Sequence, residues 1–482
     1  MNNNNSSSNK NLYLNNELIS SIVIPDSVTS INEYAFYNCN SLTSVTIGNK
    51  VTSINYYAFS YCANLTSVTI PSSVTNISDR AFGYKKLETV YYTGDVASWC
   101  KITGLSNLMS NVATLYINGQ KVEGDLIIPD GVTSIGDSIF RNCTGLTSVT
   151  IPNSVTSIDE RAFSGCSSLT SITIPGSVTS ISSNSFDGCK KLKTVYYTGD
   201  VAGWCKISGL EDLMSRVTSL YINGQKVEGN LIIPNGVTNI GTNTFRNCTG
   251  LTSVTIPDSV TNISNYAFRN CTGLTNAIIG NGVTTIGGSI FYGCSSLESI
   301  TIPFVGAKAN LTSSDAYQYP FGYIFGTSKY PGSIATDQYY HGFDTSSTTH
   351  AIYYIPSSLK SVTVMGGNIL YGAFQNCNDL TNIIISDNVT SIGGSAFNDC
   401  KKLINVTIGN GVTSIGESAF GGCKKLINVT IGNGVTSIGG YAFAGCSDLT
   451  SITIGDSVTS IGEGAFSSCN NLQNIYITDI AV

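Results

Sequence analysis

Two consecutive stretches of 23 residues, KKLINVTIGNGVTSIGESAFGGC (401–423) and KKLINVTIGNGVTSIGGYAFAGC (424–446), differ at only three positions. Nothing else in the sequence restricts the fold as tightly. A segment this short cannot bury its Leu, Val and Ile alone. Stacked on copies of itself, it becomes one coil of a solenoid with a continuous core. More diverged copies run along the chain, each marked by a phenylalanine: Phe36, Phe59, Phe82, Phe140, Phe163, Phe186, Phe245, Phe268, Phe291, Phe374, Phe397, Phe420, Phe443 and Phe466, fourteen coils in all. A chain of 482 residues ordinarily suggests about three globular domains. A solenoid overrides that expectation, because it lengthens along one axis without separate cores.

The offsets within the unit predict how a coil is built. In LTSVTI the apolar residues fall first, fourth and sixth, as in Leu42, Val45 and Ile47, so Val and Ile point inward and Thr46 outward. A Pro or Gly follows and turns the chain. VTSI then reads as a second short strand, with Val412 and Ile415 inward. Ala-Phe-x-x-Cys, as in Ala419, Phe420 and Cys423, has near-helical spacing and predicts one turn of α-helix or 3-10 helix.

Two longer elements interrupt this rhythm, 105 residues apart: VYYTGDVASWCKITGLSNLMSNVATLYINGQKVEG from Val90 and its near-copy from Val195. Asp95 and Asp200 sit where a helix N-cap belongs. Val96, Trp99 and Ile102 follow at helical spacing, as do Val201, Trp204 and Ile207. The two tryptophans read as anchors holding each helix to the solenoid, with stacking platforms as the functional alternative. The Asn-Gly in LYINGQKV predicts tight hairpins over Leu115–Val122 and Leu220–Val227.

The organisation expected is therefore a disordered polar tail (1–10), a solenoid over 11–302 with helix and hairpin inserts near 90–125 and 195–230, an irregular aromatic-rich insertion (303–355), and a second solenoid stretch over 356–482 cut at its C-terminal end. Both ends read as cuts through a longer array, which predicts a fragment. A monomer is expected, with end-to-end association through uncapped termini as the alternative.

Composition narrows the partners. Charged residues make up 11% of the chain and the net charge is −6, so there is no basic patch to hold phosphates. Nucleic acid and anionic membranes are not expected partners. No apolar run is long enough to insert in a bilayer, and the opening MNNNNSSSNK does not resemble a signal peptide. Of fifteen cysteines, thirteen hold one place in the repeat, three residues after the Phe. They read as buried thiols packing as small apolar groups, with a disulfide ladder between stacked coils as the alternative. No C-x-x-C pair or Cys/His cluster suggests a metal, and no cofactor motif appears.

The repeat L-x-x-V-x-I-P-x-x-V-x-x-I-x-x-x-A-F-x-x-C resembles the BspA-type leucine-rich repeat, known from surface proteins of mucosal bacteria and some parasitic protists. The likeness covers nearly the whole chain apart from 1–10 and 303–355. It implies a right-handed leucine-rich-repeat-like coil with short parallel β-strands and short helical turns, β-rich with a few short helices. It also implies a non-catalytic adhesion module, displayed on a cell surface or secreted, that binds protein or glycan ligands on host or neighbouring cells. A structural spacer displaying another domain of a longer parent is the alternative. The family defines no catalytic or ligand residues, so none carry over.

The residues agree with a chain that is not an enzyme. The two histidines, His341 and His350, both lie in the insertion without a partner motif, and the recurring Gly-Asn-Gly-Val lacks the third glycine and helix of a phosphate loop. Recognition is expected instead from the insertion, which holds twelve of the 46 aromatic residues. Its Tyr, Ser, Gly and Thr make a paratope-like mixture. Tyr317, Tyr319, Tyr323, Tyr330, Tyr339 and Tyr340 are the candidate binding residues, the alternative being that they cover a break in the solenoid. Deleting 310–349 is expected to abolish capture and leave the coils intact. A second candidate surface is the outward lattice of Thr43, Ser44, Thr46, Thr66, Ser67 and Thr69. Lysine pairs such as Lys401/Lys402 and Lys424/Lys425 read as a solvated edge.

Overall fold

A computed structural model describes residues 10–83, 87–309, 311, 317–340 and 350–477. The chain divides into two compact units, Met1–Lys226 and Val227–Val482. In both, parallel strands stack in register at one coil per step. Val45 lies beside Val68 and Val68 beside Val90 in the first unit; Ile383 lies beside Val406 in the second. Leu42, Val45 and Ile47 are buried while Thr46 is exposed, as the alternation requires. The VTSI segments form a second, shorter ladder, for example Ser30–Ile31, Ser53–Ile54 and Asn76–Ile77. The turns between the two ladders are tied coil to coil: Asp387 accepts from the Asn410 amide at 2.7 Å and Asn410 from that of Asn433 at 3.0 Å.

The Phe side chains form the spine of the core. Phe374, Phe397, Phe420, Phe443 and Phe466 stack face to face, with centroids 4.9 to 5.7 Å apart. The segment carrying them is neither the α-helical nor the 3-10 turn that the spacing predicts. The residue before Ala and the residue before Cys are left-handed in coil after coil, as Ser395 (φ 52°) and Asp399 (φ 58°) show. The reason lies in the hydrogen bonds. Successive amides alternate between folding back and reaching the next coil: Asn398 N donates to Ser395 O, whereas Phe397 N donates to Ala419 O at 2.7 Å and Asp399 N to Gly421 O at 2.8 Å. A helix would turn every amide onto its own coil and leave the neighbour unpaired.

The cysteines complete this bonding. All fifteen are free thiols, thirteen of them buried, with Cys100 and Cys469 half-buried. Phe140 O accepts the Cys143 amide at 3.2 Å within its coil and the Cys166 thiol at 3.1 Å from the next. The same thiol-to-carbonyl contact recurs from Cys62 to Phe36 and from Cys423 to Phe397. A small apolar side chain with one weak donor suits that position. Burial pushes the thiols of Cys143 and Cys400 up to about 12.

Each longer element contains two short helices. α1 (Val96–Trp99) opens with Asp95 and Ser98 in a reciprocal capping box; α2 (Leu105–Met109) follows. Their counterparts are α3 (Val201–Lys206), capped by Asp200, and α4 (Glu211–Arg216). Gly104 separates the first pair at φ +81°, where a Cβ would lie 1.8 Å from Ile77 O. The tryptophans are anchors. Trp99 is sealed against Tyr92 at 5.1 Å, and its indole N–H donates to Ile139 O at 3.0 Å. Trp204 is buried against Tyr197 at 5.3 Å. Beyond α2, Thr114–Ile117 turns through Asn118 and Gly119, both at positive φ, into Gln120–Lys121, the tight hairpin that the Asn-Gly predicts.

The insertion leaves the sheet and returns to it in register: Ser299–Ile302 pairs directly with Ser361–Val364. Rather than being irregular, it contains a 3-10 turn (Phe321–Ile324) and an antiparallel hairpin, Ser333–Tyr339 against His350–Pro356. The hairpin was hidden because its first strand buries Thr336 and Gln338 rather than aliphatic residues. Phe321 lies 4.6 Å from Phe374 and 5.4 Å from Phe325, which reaches Phe291 at 6.5 Å. Two rings thus carry the Phe column past a missing coil. Excising 310–349 would remove both rings and leave Phe291 and Phe374 facing the gap.

Candidate binding site

The six tyrosines singled out from the sequence do not form one surface. Tyr319 and Tyr330 are buried, 1% and 5% exposed, and burial raises both phenols well above their ordinary range. They pack the insertion onto the coils. Tyr339 and Tyr340 are half-buried at the end of the hairpin strand. Tyr339 stacks on the His350 ring at 5.3 Å, and His350 Nδ1 lies 2.5 Å from Asp337. His341 lies outside the described residues.

Tyr317 and Tyr323 do come together, edge to face at 6.4 Å, with Tyr317 53% exposed. Tyr323 walls a cleft of about 310 Å³, open where the short-strand ladder ends at Thr285–Ile286. The cleft is lined by amides and hydroxyls. Thr285 donates to Asn262 at 2.5 Å, Asn262 to Ser264 at 3.1 Å, and Gln318 to the Tyr317 hydroxyl at 3.3 Å. Lys308 supplies a cation at its edge. Gly288 makes room for the ring, since a Cβ there would lie 3.2 Å from it. Burial raises the Tyr323 phenol, which therefore stays protonated and able to donate.

A second aromatic cluster was missed. Tyr34 and Tyr57 stack at 5.3 Å, Tyr37 lies 5.2 Å from Tyr61, and Arg80 donates to the Tyr57 hydroxyl at 2.8 Å. The bond from Tyr56, then that from Arg80, holds the Tyr57 phenol below its ordinary value. Tyr34, Tyr57 and Tyr61 all occupy left-handed positions, filled elsewhere by Ser138, Asn184 and Asn247, where a bulky side chain costs about 1–2 kcal/mol. That internal contrast was legible in the repeat alignment. On the outer sheet face, Tyr91 stacks on Tyr116 at 4.9 Å and Tyr196 meets Tyr221 at 5.0 Å. The threonine lattice there is partly structural, as Thr66 donates to Thr43 O at 3.2 Å. One lysine of each pair is neutralised from a neighbouring coil: Lys402 pairs with Asp379 at 2.7 Å and Lys425 with Asp448 at 3.0 Å.

Comparison with known proteins places these features. A family model described as the BspA type leucine rich repeat region matches residues 6–102, 119–203, 223–318 and 367–481. The matches break off within the longer elements and within the insertion. Among solved structures, a leucine-rich repeat protein from Bacteroides ovatus is 22% identical over 96% of this chain and 84% of its own, with a TM-score of 0.31. A leucine rich cell surface protein from Faecalibacterium prausnitzii is 30% identical over 74% of this chain and 88% of its own, with a TM-score of 0.28. No curated protein matches.

Proposed function

The chain belongs to the family of BspA-type leucine-rich repeat proteins, and on that premise we propose that it is a non-catalytic binding module of a surface-displayed or secreted protein, with a glycan as its ligand. The cleft beside Tyr323 carries this reading. An aromatic wall offers a flat apolar surface, and the lining of Asn262, Ser264, Thr285 and Gln318 offers donors and acceptors in the density that a hydroxyl-rich ligand requires. No helix among the described residues is long and apolar enough to cross a membrane. Family membership favours surface display.

The test is to screen the purified chain against immobilised glycans and matrix proteins, with Tyr323→Ala and Gln318→Ala as variants. Glycan capture that weakens at least tenfold in both, at unchanged melting temperature, supports the cleft. Capture of a matrix protein that ignores both substitutions moves the site elsewhere. Capture of nothing favours a spacer that displays another domain.

A further inference from the structure

The first helix-and-hairpin element leaves rungs out of the short-strand ladder. In ordinary coils both ladders advance together: Ser67–Ile70 adds to Ser44–Thr46 as Asn76–Ile77 adds to Ser53–Ile54. Within the element the main sheet gains Thr114–Ile117 and its antiparallel partner Gln120–Lys121. The short ladder gains nothing between Thr103, which bridges to Asn76, and Ser134–Ile135, which opens the next three-stranded ladder. Two extra strands on one side against none on the other hold open a cleft of about 470 Å³ between Thr103 and Ser134.

One wall of this cleft is an unfilled strand edge. In the following coils the corresponding amides point back: Thr156 N donates to Thr133 O at 2.9 Å and Asp159 N to Ile135 O at 2.8 Å; Thr179 and Ser182 repeat the pattern one coil later. The equivalent amides of Thr133 and Gly136 face the cleft and have no acceptor among the described residues. Thr103 cannot serve, because its N–H goes to Thr75 O and its carbonyl accepts from Ile77 N, both on the preceding coil. The floor is apolar, with Ile102 and Val132 buried. Asp137 and Asp159 line the cleft against the single cation of Lys101.

We propose that this cleft accepts an extended peptide carrying a lysine or arginine, which adds as a strand to the Thr133–Gly136 edge. Strand addition needs an edge with open amides, a trough for alternate side chains, and charge to fix register. All three are here, and the excess of carboxylate selects a basic peptide. The chain's own segment 50–54, with its lysine just ahead of Val-Thr-Ser-Ile and ending in the short strand Ser53–Ile54, has this chemistry and supplies a probe.

A fluorescein-labelled peptide of residues 48–55, titrated into the full chain and followed by anisotropy, tests the proposal. Saturable binding is expected, with slowed hydrogen exchange at Thr133 and Gly136. Asp159→Lys should weaken binding at least tenfold, and Thr133→Pro, which removes one open amide, should do the same. Tyr323→Ala should leave it unchanged, which separates this cleft from the proposed glycan site. If Thr133→Pro does not fold, the exchange measurement on the unmodified chain decides. Absence of saturable binding, protection elsewhere on the chain, or binding indifferent to Asp159→Lys overturns the proposal.

Discussion

Phe420 and Phe321 occupy the same column of stacked rings and arrive there by opposite routes. Phe420 is placed by repetition: its amide donates to Ala442 O, its carbonyl accepts the Cys446 thiol at 3.3 Å, and its ring lies between those of Phe397 and Phe443. Phe321 has no such coil beneath it. Its amide reaches Ala373 O, while the neighbouring Gly322 amide is satisfied by the buried side chain of Gln338 at 2.7 Å, which in turn donates to Ala373 O at 3.1 Å. Where the repeat holds, neighbouring backbones satisfy each other. Where it fails, one glutamine and two phenylalanines replace what a coil would have supplied.

Alkali should reach the coils before the insertion, because unfolded thiols ionise at about pH 8.5 and the phenols buried in the insertion only at about pH 10. Thirteen of the fourteen coils carry a thiol three residues after the Phe, and no cysteine lies between Cys294 and Cys377. A thiol held at about 12, as in Cys143 and Cys400, stays protonated in the folded chain after the unfolded one has ionised near its usual value. Its contribution is therefore fully present below pH 9 and is lost as pH rises towards 12, at about 1.4 kcal/mol per pH unit per thiol. Circular dichroism should show the coils failing in that window, and replacing Cys143, Cys166 and Cys189 by Ala should move the transition to higher pH. A transition indifferent to those cysteines would leave the thiols without this role.

Phe420→Ala should cost about 3–5 kcal/mol in denaturant unfolding, from a cavity whose neighbours cannot close on it. Phe321→Ala should fall in the same range, and a much smaller cost there would mean that the insertion merely rests on the column. Gln338→Leu should cost about 1–3 kcal/mol by leaving the buried Gly322 amide without its acceptor, measurable as a lower urea midpoint. The smallest effect belongs to Ser418, left-handed at φ 53°. Ser418→Gly should stabilise by a few tenths of a kcal/mol, since the strain relieved slightly exceeds the entropy that glycine adds to the unfolded chain. Loss of stability would show that the serine does more than fill the position.

The coil was readable because each inward position is reinforced many times over. Leu42, Val45, Ile47 and Phe59 each sit where period and alternation place them. The Asn-Gly hairpins were readable for a local reason, the positive φ that only such residues accept cheaply. The Ala-Phe-x-x-Cys turn was misread as helix because apolar spacing does not register where amides donate. Within the insertion, Tyr319 and Tyr323 look equivalent in sequence. One is sealed in the core and the other walls a cleft, and the difference arises from the packing of the hairpin against Phe374 and its neighbours.

The sequence alone determined that this chain is a solenoid, which residues face inward, and where the rhythm breaks. Those properties depend on side-chain pattern between adjacent coils and are repeated often enough to be unambiguous. Only the tertiary structure decided what the breaks do. Whether an aromatic ring seals the core or meets solvent, and whether an extra strand leaves an open edge opposite, depends on counting rungs on two ladders at once. The sequence holds no local trace of that count.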